Sequence, residues 1–369
     1  MKLRIFRPFI NTANILLSLA AQAAFGFSGH RLKIIGVTGT TGKTVTAHYI
    51  ASVLESDGRQ VGVVSRANIR SNKQTEVAAE DVTSNPFRLH RQLYLMRKQG
   101  VDWVVMEVTS QCLKHKRIWG LPIRLAVMTN LSSSHLVAGE AVEDYAATKA
   151  KLLRMVQKAV VLNRDDEWYE YFLKTPKQAV YDYGAGEDAS VRIDRHKFKS
   201  DRSHLRIRFG ERVVNATLSL PGETMSYCAL AAATAAYGLD VSWQNMREGL
   251  ESVKNVPGRM EIVREGQPFA MIVDYARTPG AFAETLEDMK SVEGGNVTAV
   301  LPEKSDTEYA EIARAESVEV LEEAGGESGL DSMLDSIKSQ DKLVVLGDRA
   351  SSLLEVINDA IGRSGDHSR

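Results

Sequence analysis

Apolar residues recur along the first half of the chain as short continuous runs separated by segments of helical spacing. Ile34, Ile35 and Val37 form the first run, and residues 61–64, 103–108, 125–128 and 160–162 form the next four. Runs of this length predict strands buried on both faces, and the helical periods between them predict crossover helices of a parallel sheet. Residues 45–54 read as the first of those helices. Beyond residue 162 the period falls to two: 191–193, 205–209 and 213–218 alternate apolar with polar side chains and predict a small antiparallel sheet. Two helices, 229–237 and 243–250, close this region. Pro257-Gly258 then breaks the pattern. A smaller α/β set follows, with strands at 270–273, 297–301 and 343–346 and helices at 281–289 and 353–361. Residues 308–329 are acidic and Gly-containing and show no period. The expected α/β organisation is an N-terminal apolar helix (1–30), a central domain with a parallel sheet and a small antiparallel sheet (31–257), and a smaller α/β domain (258–369).

The apolar stretch 15–27 follows Lys2, Arg4 and Arg7 and so resembles an export signal. Asn11, Asn14 and Gln22 interrupt it, and it is too short for a transmembrane helix. Ile15, Leu16, Leu19, Ala23 and Phe27 lie at helical spacings and predict a stripe packed on the central domain. A helix lying in a membrane surface is the other reading, so contact with a membrane surface stays open.

Charge and cysteine content narrow the class. Forty-six basic residues against 47 acidic ones leave no net field for nucleic acid or for an anionic membrane. Cys112 and Cys228 stand in no metal-ligand spacing and fit a reducing, cytoplasmic setting.

The candidate chemistry sits where the first strand ends. Gly39-Thr40-Thr41-Gly42-Lys43-Thr44 joins that strand to the helix at 45–54, the context of a phosphate-binding loop. Gly39 and Gly42 let backbone amides turn toward phosphate oxygens, Lys43 supplies a point charge, and the Thr44 hydroxyl suits Mg²⁺. The helix start adds the positive end of its dipole. The longer form of the motif has a glycine where this chain has Val37. The expected ligands are ATP and Mg²⁺.

Further motifs follow in one order: Met106-Glu107-Val108-Thr109-Ser110; Thr129-Asn130-Leu131-Ser132 with His135; Glu143-Asp144-Tyr145-Ala146-Ala147-Thr148-Lys149; Val256-Pro257-Gly258-Arg259-Met260-Glu261; and Val273-Asp274-Tyr275-Ala276-Arg277-Thr278-Pro279. Together with the loop they resemble the Mur ligase family over residues 33–290, nearest to its members that add the third amino acid of the muramyl peptide. The resemblance implies an ATP-dependent ligase that joins a small-molecule carboxylate to an amine through an acyl phosphate. It implies catalytic roles for Lys43, Glu107 and Lys149, the last carbamylated in the family. It implies metal ligation by Thr44, Glu107, His135 and Lys149. Arg259 and Asp274 match residues that reach the nucleotide, and Thr83, Thr109, Ser110 and Arg117 match positions that contact the acyl substrate. Read without the family, Lys149 beside Lys151 and Arg154 equally fits a solvated basic helix face, and Arg117 among Lys114, His115 and Lys116 equally fits a basic surface turn.

The chain also departs from that pattern. About thirty residues precede the loop strand where relatives carry a UDP-binding domain, so whether UDP is recognised stays open. Thr41, Ser134, Cys228 and Arg277 replace an Asn, an Asp, an Asn and a His of the family. Leu301-Pro302-Glu303-Lys304-Ser305-Asp306 stands in place of a Gly-Gly-x-Arg-Asp loop, and no Asp-Asn-Pro-Arg motif follows to select diaminopimelate. A nucleotide-binding partner or regulatory chain, with its missing parts supplied by another chain or not at all, is the alternative these losses suggest.

Overall fold

The computed structural model describes residues 3–72, 74–77, 82–132, 141–199, 201–264, 267, 269–276, 278–301, 307–316, 318–322, 337–339 and 341–346. The chain forms two compact units, one of Met1–Arg195, Arg206–Ala216 and Tyr227–Ser252, the other of His196–Leu205, Thr217–Ser226 and Val253–Arg369.

Eleven strands make the large sheet: β1 (Lys33–Thr38), β2 (Val61–Val64), β3 (Asn68–Ser71), β4 (Gln74–Val77), β5 (Trp103–Glu107), β6 (Ile123–Met128), β7 (Val156–Asn163), β8 (Ala179–Gly184), β9 (Val191–Lys199), β10 (Arg202–Phe209) and β11 (Arg212–Leu218). Their order is β11-β10-β9-β8-β7-β6-β1-β5-β2-β3-β4. β1 is central and parallel to both neighbours, with Ile35 opposite Val105 of β5 and Leu125 of β6. Ile34, Ile35 and Val37 are fully buried because helices cover both faces of a parallel sheet. The first crossover leads from β1 through α2 (Lys43–Ser56) to β2, which lies beyond β5, whereas β6 lies on the opposite side of β1. The chain therefore reverses direction across the sheet at β1, and the carboxyl ends of β1, β5 and β6 meet at one crevice. The runs expected to form the small antiparallel sheet are β9, β10 and β11, which extend the β8 edge.

The remaining helices are α1 (Leu3–Ala24), α3 (Pro86–Lys98), α4 (Ser110–Lys114), α5 (Val142–Arg154), α6 (Tyr169–Leu173), α7 (Glu223–Tyr237), α8 (Trp243–Ser252), α9 (Pro279–Ser291) and α10 (Thr307–Ala315). The second unit holds a five-stranded sheet in the order β12-β13-β16-β14-β15, made of β12 (Glu261–Val263), β13 (Ala270–Asp274), β14 (Val297–Leu301), β15 (Glu319–Glu322) and β16 (Lys342–Leu346). Only β12 runs antiparallel to its neighbour; the other pairs are parallel.

Two expectations need correction. Residues 308–329 are not patternless, since α10 and β15 fall within or next to them. The N-terminal segment is helical and packs against α3, but with the opposite face from the one expected. Leu16, Leu19, Ala23 and Phe27 are exposed, and Ser18, Ala21 and Gln22 are buried. Ser18 Oγ donates to the carbonyls of Arg117 and Trp119, and Gln22 Nε2 donates to that of Trp119 at 3.0 Å. These side chains satisfy the carbonyls that end the turn after α4, so docking is polar and the leucines are left outside. The expected helix 353–361, His135 and Arg277 lie outside the described residues.

Candidate active site

β1 ends in a loop whose shape depends on two glycines. Gly39 has φ 150° and Gly42 has φ 75°. A Cβ at Gly39 would run into the Thr129 hydroxyl and one at Gly42 into the Cys228 sulfur, so neither position accepts a side chain. Gly42 is also the left-handed residue that precedes α2.

The end of β6 holds the loop from beside it. Asn130 Oδ1 accepts the backbone N–H groups of Thr40 and Thr41 at 3.1 and 2.9 Å, and its Nδ2 donates to the Thr41 hydroxyl at 2.9 Å. The Thr129 hydroxyl donates to the Thr41 carbonyl at 2.7 Å, and the Ser132 N–H donates to the Thr40 hydroxyl. Sequence reading noted Thr129 to Ser132 as a motif without giving it work. The structure makes it the brace of the loop.

Four of the expected functional side chains converge here. Lys43 Nζ donates to the carbonyls of Gly39 and Thr40, which keeps its charge at the loop. Thr44 Oγ1 donates to Glu107 Oε2 at 2.8 Å, and the Arg66 N–H donates to the same oxygen at 3.1 Å. Glu107 is the last residue of β5 and is 3% exposed. Burial alone would push its carboxyl up, but Lys43, the Thr44 hydroxyl, the Arg66 N–H and the Arg66 charge outweigh it and hold the group below its ordinary range. Lys149, on α5, is 1% exposed; its Nζ donates to the Gly39 carbonyl at 2.6 Å and lies 4.3 Å from the Tyr145 ring centre. Burial first and Lys43 second drive its pKa well down, against the pull of Glu107. The solvated basic face is thereby ruled out for Lys149.

A small pocket opens beside Glu107, lined by Val64, Ser65, Arg66, Thr83, Glu107 and Thr109. Thr83 and Thr109 thus stand next to the carboxylate. Thr109 caps α4, accepting the Cys112 N–H at 3.2 Å. The buried Ser110 hydroxyl oxygen has no hydrogen-bond partner among the described residues. Arg117 does not line this pocket; its carbonyl accepts from Ser18. His48, which sequence reading passed over, is buried on α2 and pushed down to about 4 by burial and by Arg70, so it is a neutral neighbour of Glu107.

In the second unit, Arg259 and Asp274 are neighbours. Asp274 Oδ2 accepts the Met260 N–H at 2.9 Å, and burial raises its pKa against the opposing charge of Arg259. Arg259 Nη1 donates to the Gly258 carbonyl at 2.7 Å. Among the described residues no cluster of three His, Cys, Asp or Glu side chains could hold a metal by itself. The donors fit a hard cation shared with phosphate oxygens instead: one ionised carboxylate and one hydroxyl at a helix start.

Residues 37–236 match the Mur ligase middle domain and residues 258–368 match the Mur ligase glutamate ligase domain. The chain belongs to the Mur ligase family. It is 32% identical over 283 residues to UDP-N-acetylmuramyl-tripeptide synthetase 2 of Oceanobacillus iheyensis, covering 75% of this chain and 58% of the relative. It is 33% identical over 286 residues to the UDP-N-acetylmuramoyl-L-alanyl-D-glutamate–2,6-diaminopimelate ligase of Caldanaerobacter subterraneus, covering 78% and 59%. The chain thus spans less than two thirds of the length of these relatives. Its fold is also that of folylpolyglutamate synthetase from Lactobacillus casei, with a TM-score of 0.71 at 16% identity over 92% of this chain and 93% of that one.

Proposed function

We propose that this Mur ligase family member is an ATP-dependent ligase that joins a carboxylate of a muramyl-peptide-like substrate to an amine, in cell-wall peptide synthesis. The observation that carries the reading is the contact of Thr44 with an ionised, buried Glu107, made beside a loop to which both Lys43 and Lys149 are bonded. ATP and Mg²⁺, when bound, supply the phosphoryl group and the charge neutralisation that activate a carboxylate as an acyl phosphate, which an amine converts to an amide with release of phosphate.

This chain's own residues do the positioning. The glycine-shaped loop and Lys43 hold phosphate oxygens, and Thr44 and Glu107 hold the cation. Thr83, Thr109 and Ser110 orient the acyl end beside Glu107. The depressed pKa of Lys149 favours the uncharged amine, the form that reacts with carbon dioxide to give the carbamate its relatives use. Arg259 and Asp274 are assigned to the nucleotide. The division into a central domain of 31–257 and a domain of 258–369 belongs to the same proposal.

The alternative, a nucleotide-binding partner without ligation, draws on the sequence at 301–306, which lacks the family's acceptor loop. Phosphate release separates the two readings. A ligase releases phosphate in step with amide only when ATP, carboxylate and amine are all present. Release that is indifferent to the amine across a panel would defeat the ligase reading.

A further inference from the structure

The helix α1 is inverted relative to an ordinary surface helix. Its inward face carries polar groups beside Ala21 and the half-buried Ile15: Ser18 and Gln22 are fully buried and bonded to the turn at Arg117 and Trp119, and Gln22 Oε1 also meets His30 Nε2 at 2.9 Å. Its outward face is apolar, with Leu16 61% exposed, Leu17 48% and Leu19 36%. Phe27 continues that surface just past the helix end, 47% exposed, and Trp119 lies beside the docked face at 40%. Phe27 also holds a left-handed backbone, φ 51°, which a bulky side chain adopts only at a cost. Water gives no return for any of these placements, so leucine, phenylalanine and tryptophan exposed on and beside one helix mark a contact surface.

The charge around this surface is one-sided. The balanced total of the chain hides a strong partition: residues 1–124 contain 18 basic and 7 acidic side chains, and the rest contains 28 and 40. No acidic residue occurs before Glu55. The two neighbours of α1, helix α3 and the stretch 110–120, carry seven basic residues and no acidic one, among them the exposed Arg88, Arg91 and Lys114. Among the described residues no helix is long and apolar enough to cross a membrane.

We propose that the outward face of α1 seats the protein on an anionic lipid surface. Leu16, Leu17, Leu19 and Phe27 enter the boundary between headgroups and acyl chains, Trp119 sits at headgroup level, and the surrounding arginines and lysines meet the lipid phosphates. A second copy fits this face poorly, because an isologous contact would set two basic rims against each other. The proposal does not rest on the ligase reading, since none of these residues belongs to the ATP site.

The test is co-sedimentation of the full chain with vesicles of phosphatidylcholine alone and of about equal parts phosphatidylcholine and phosphatidylglycerol. The expected result is binding to the anionic vesicles, weakened by salt. In a folded Leu16→Ser, Leu17→Ser double variant that binding falls about tenfold or more, with ATP turnover unchanged. Should that variant unfold, brominated lipid in the anionic vesicles reads the wild-type chain directly: it quenches tryptophan fluorescence, and the quenching drops in Trp119→Phe. Failure of the wild-type chain to bind anionic vesicles, binding that the double variant leaves unchanged, or quenching that persists in Trp119→Phe would each overturn the proposal. So would a concentration-dependent dimer, lost in the double variant, in the absence of vesicle binding.

Discussion

Glu107 can serve a cation only while it stays ionised, and its 3% exposure works against that. The Lys43 charge, the Thr44 hydroxyl and the Arg66 N–H together reverse the effect of burial. Lys43 keeps Glu107 charged, and in the proposed function it also attracts phosphate. Lys43→Ala should lower ATP turnover by about a hundredfold or more while leaving the melting temperature nearly unchanged, since its side chain fills no core. Near wild-type turnover in the folded variant would remove the loop from the mechanism. Asn130 is a positioning residue of another kind, because its side-chain bonds go to the loop itself, at Thr40 and Thr41. Asn130→Ala removes the acceptor of the partly buried Thr41 N–H, which costs about 1 kcal/mol and should weaken ATP binding by about tenfold. Calorimetric titration and a melting curve read both effects, and an unchanged ATP affinity would mean that the loop keeps its shape unaided. Lys43, Thr44, Glu107 and Lys149 were legible in the sequence because each stands at a fixed place in a motif. The bracing by Asn130 was not, since its partners are amides 89 and 90 residues upstream and every residue type but proline offers an amide.

At the scale of elements, two junctions make testable demands. Helices α2 and α8 approach so closely at Gly249 that a Cβ there would enter the Val53 backbone, and Ser52 Oγ donates to the Gly249 carbonyl at 2.9 Å. Gly249→Ala gains helix propensity, yet it must push the helices apart, so a net loss of about 1–3 kcal/mol is expected in denaturant unfolding. Unchanged or raised stability would show that this contact yields easily. In the second unit, Asp288 accepts the N–H groups of Glu223 and Thr224 at 3.2 and 3.1 Å. Burial outweighs those bonds and pushes its carboxyl up to about 7. Between about pH 4 and 7 the unfolded chain has released this proton and the folded chain keeps it, so stability falls as pH rises, by up to about 1.4 kcal/mol per unit. His48 and His90, both pushed down to about 4, act in the opposite sense over part of that range, so the difference between two proteins is the clean measure. Asp288→Asn keeps an acceptor for both N–H groups and should be more stable than wild type at pH 8 and closer to it at pH 5. A stability gap that does not widen with pH would contradict the assignment. The parallel strands were readable because runs of buried apolar residues leave little choice, whereas β15 is four residues long and flanked by acids, too short to show a period. For α1 the helical period was visible but its direction was not, because which face docks is decided by carbonyls a hundred residues away.

Taken whole, the chain carries, in the ligase reading, the residues assigned to the nucleotide, and its sequence after residue 301 lacks the motifs assigned to the amine. In the ligase reading, selecting diaminopimelate over other amines means recognising a second amino-acid end, with both an ammonium and a carboxylate. A carboxylate taken into a pocket without a cation costs several kcal/mol, so such a site needs a placed arginine with polar partners. The sequence after residue 301 offers no Asp-Asn-Pro-Arg motif, and the stretch 308–329 is predominantly acidic, the wrong sign for that carboxylate. A segment of that charge instead suits amines without a distal carboxylate, lysine included, or several amines with little discrimination. Steady-state ligation across a panel of amines should therefore show a kcat/KM for diaminopimelate no more than about tenfold above that for lysine. High salt should narrow any advantage of the more cationic amines, because exposed charges are screened. A preference for diaminopimelate of about a hundredfold, roughly 2.7 kcal/mol, would refute this expectation and would require a carboxylate-binding cation elsewhere in the second unit. Arg264, Arg314 and Lys338 would then be the first to replace by alanine, and loss of the preference without loss of kcat for lysine would identify the one responsible.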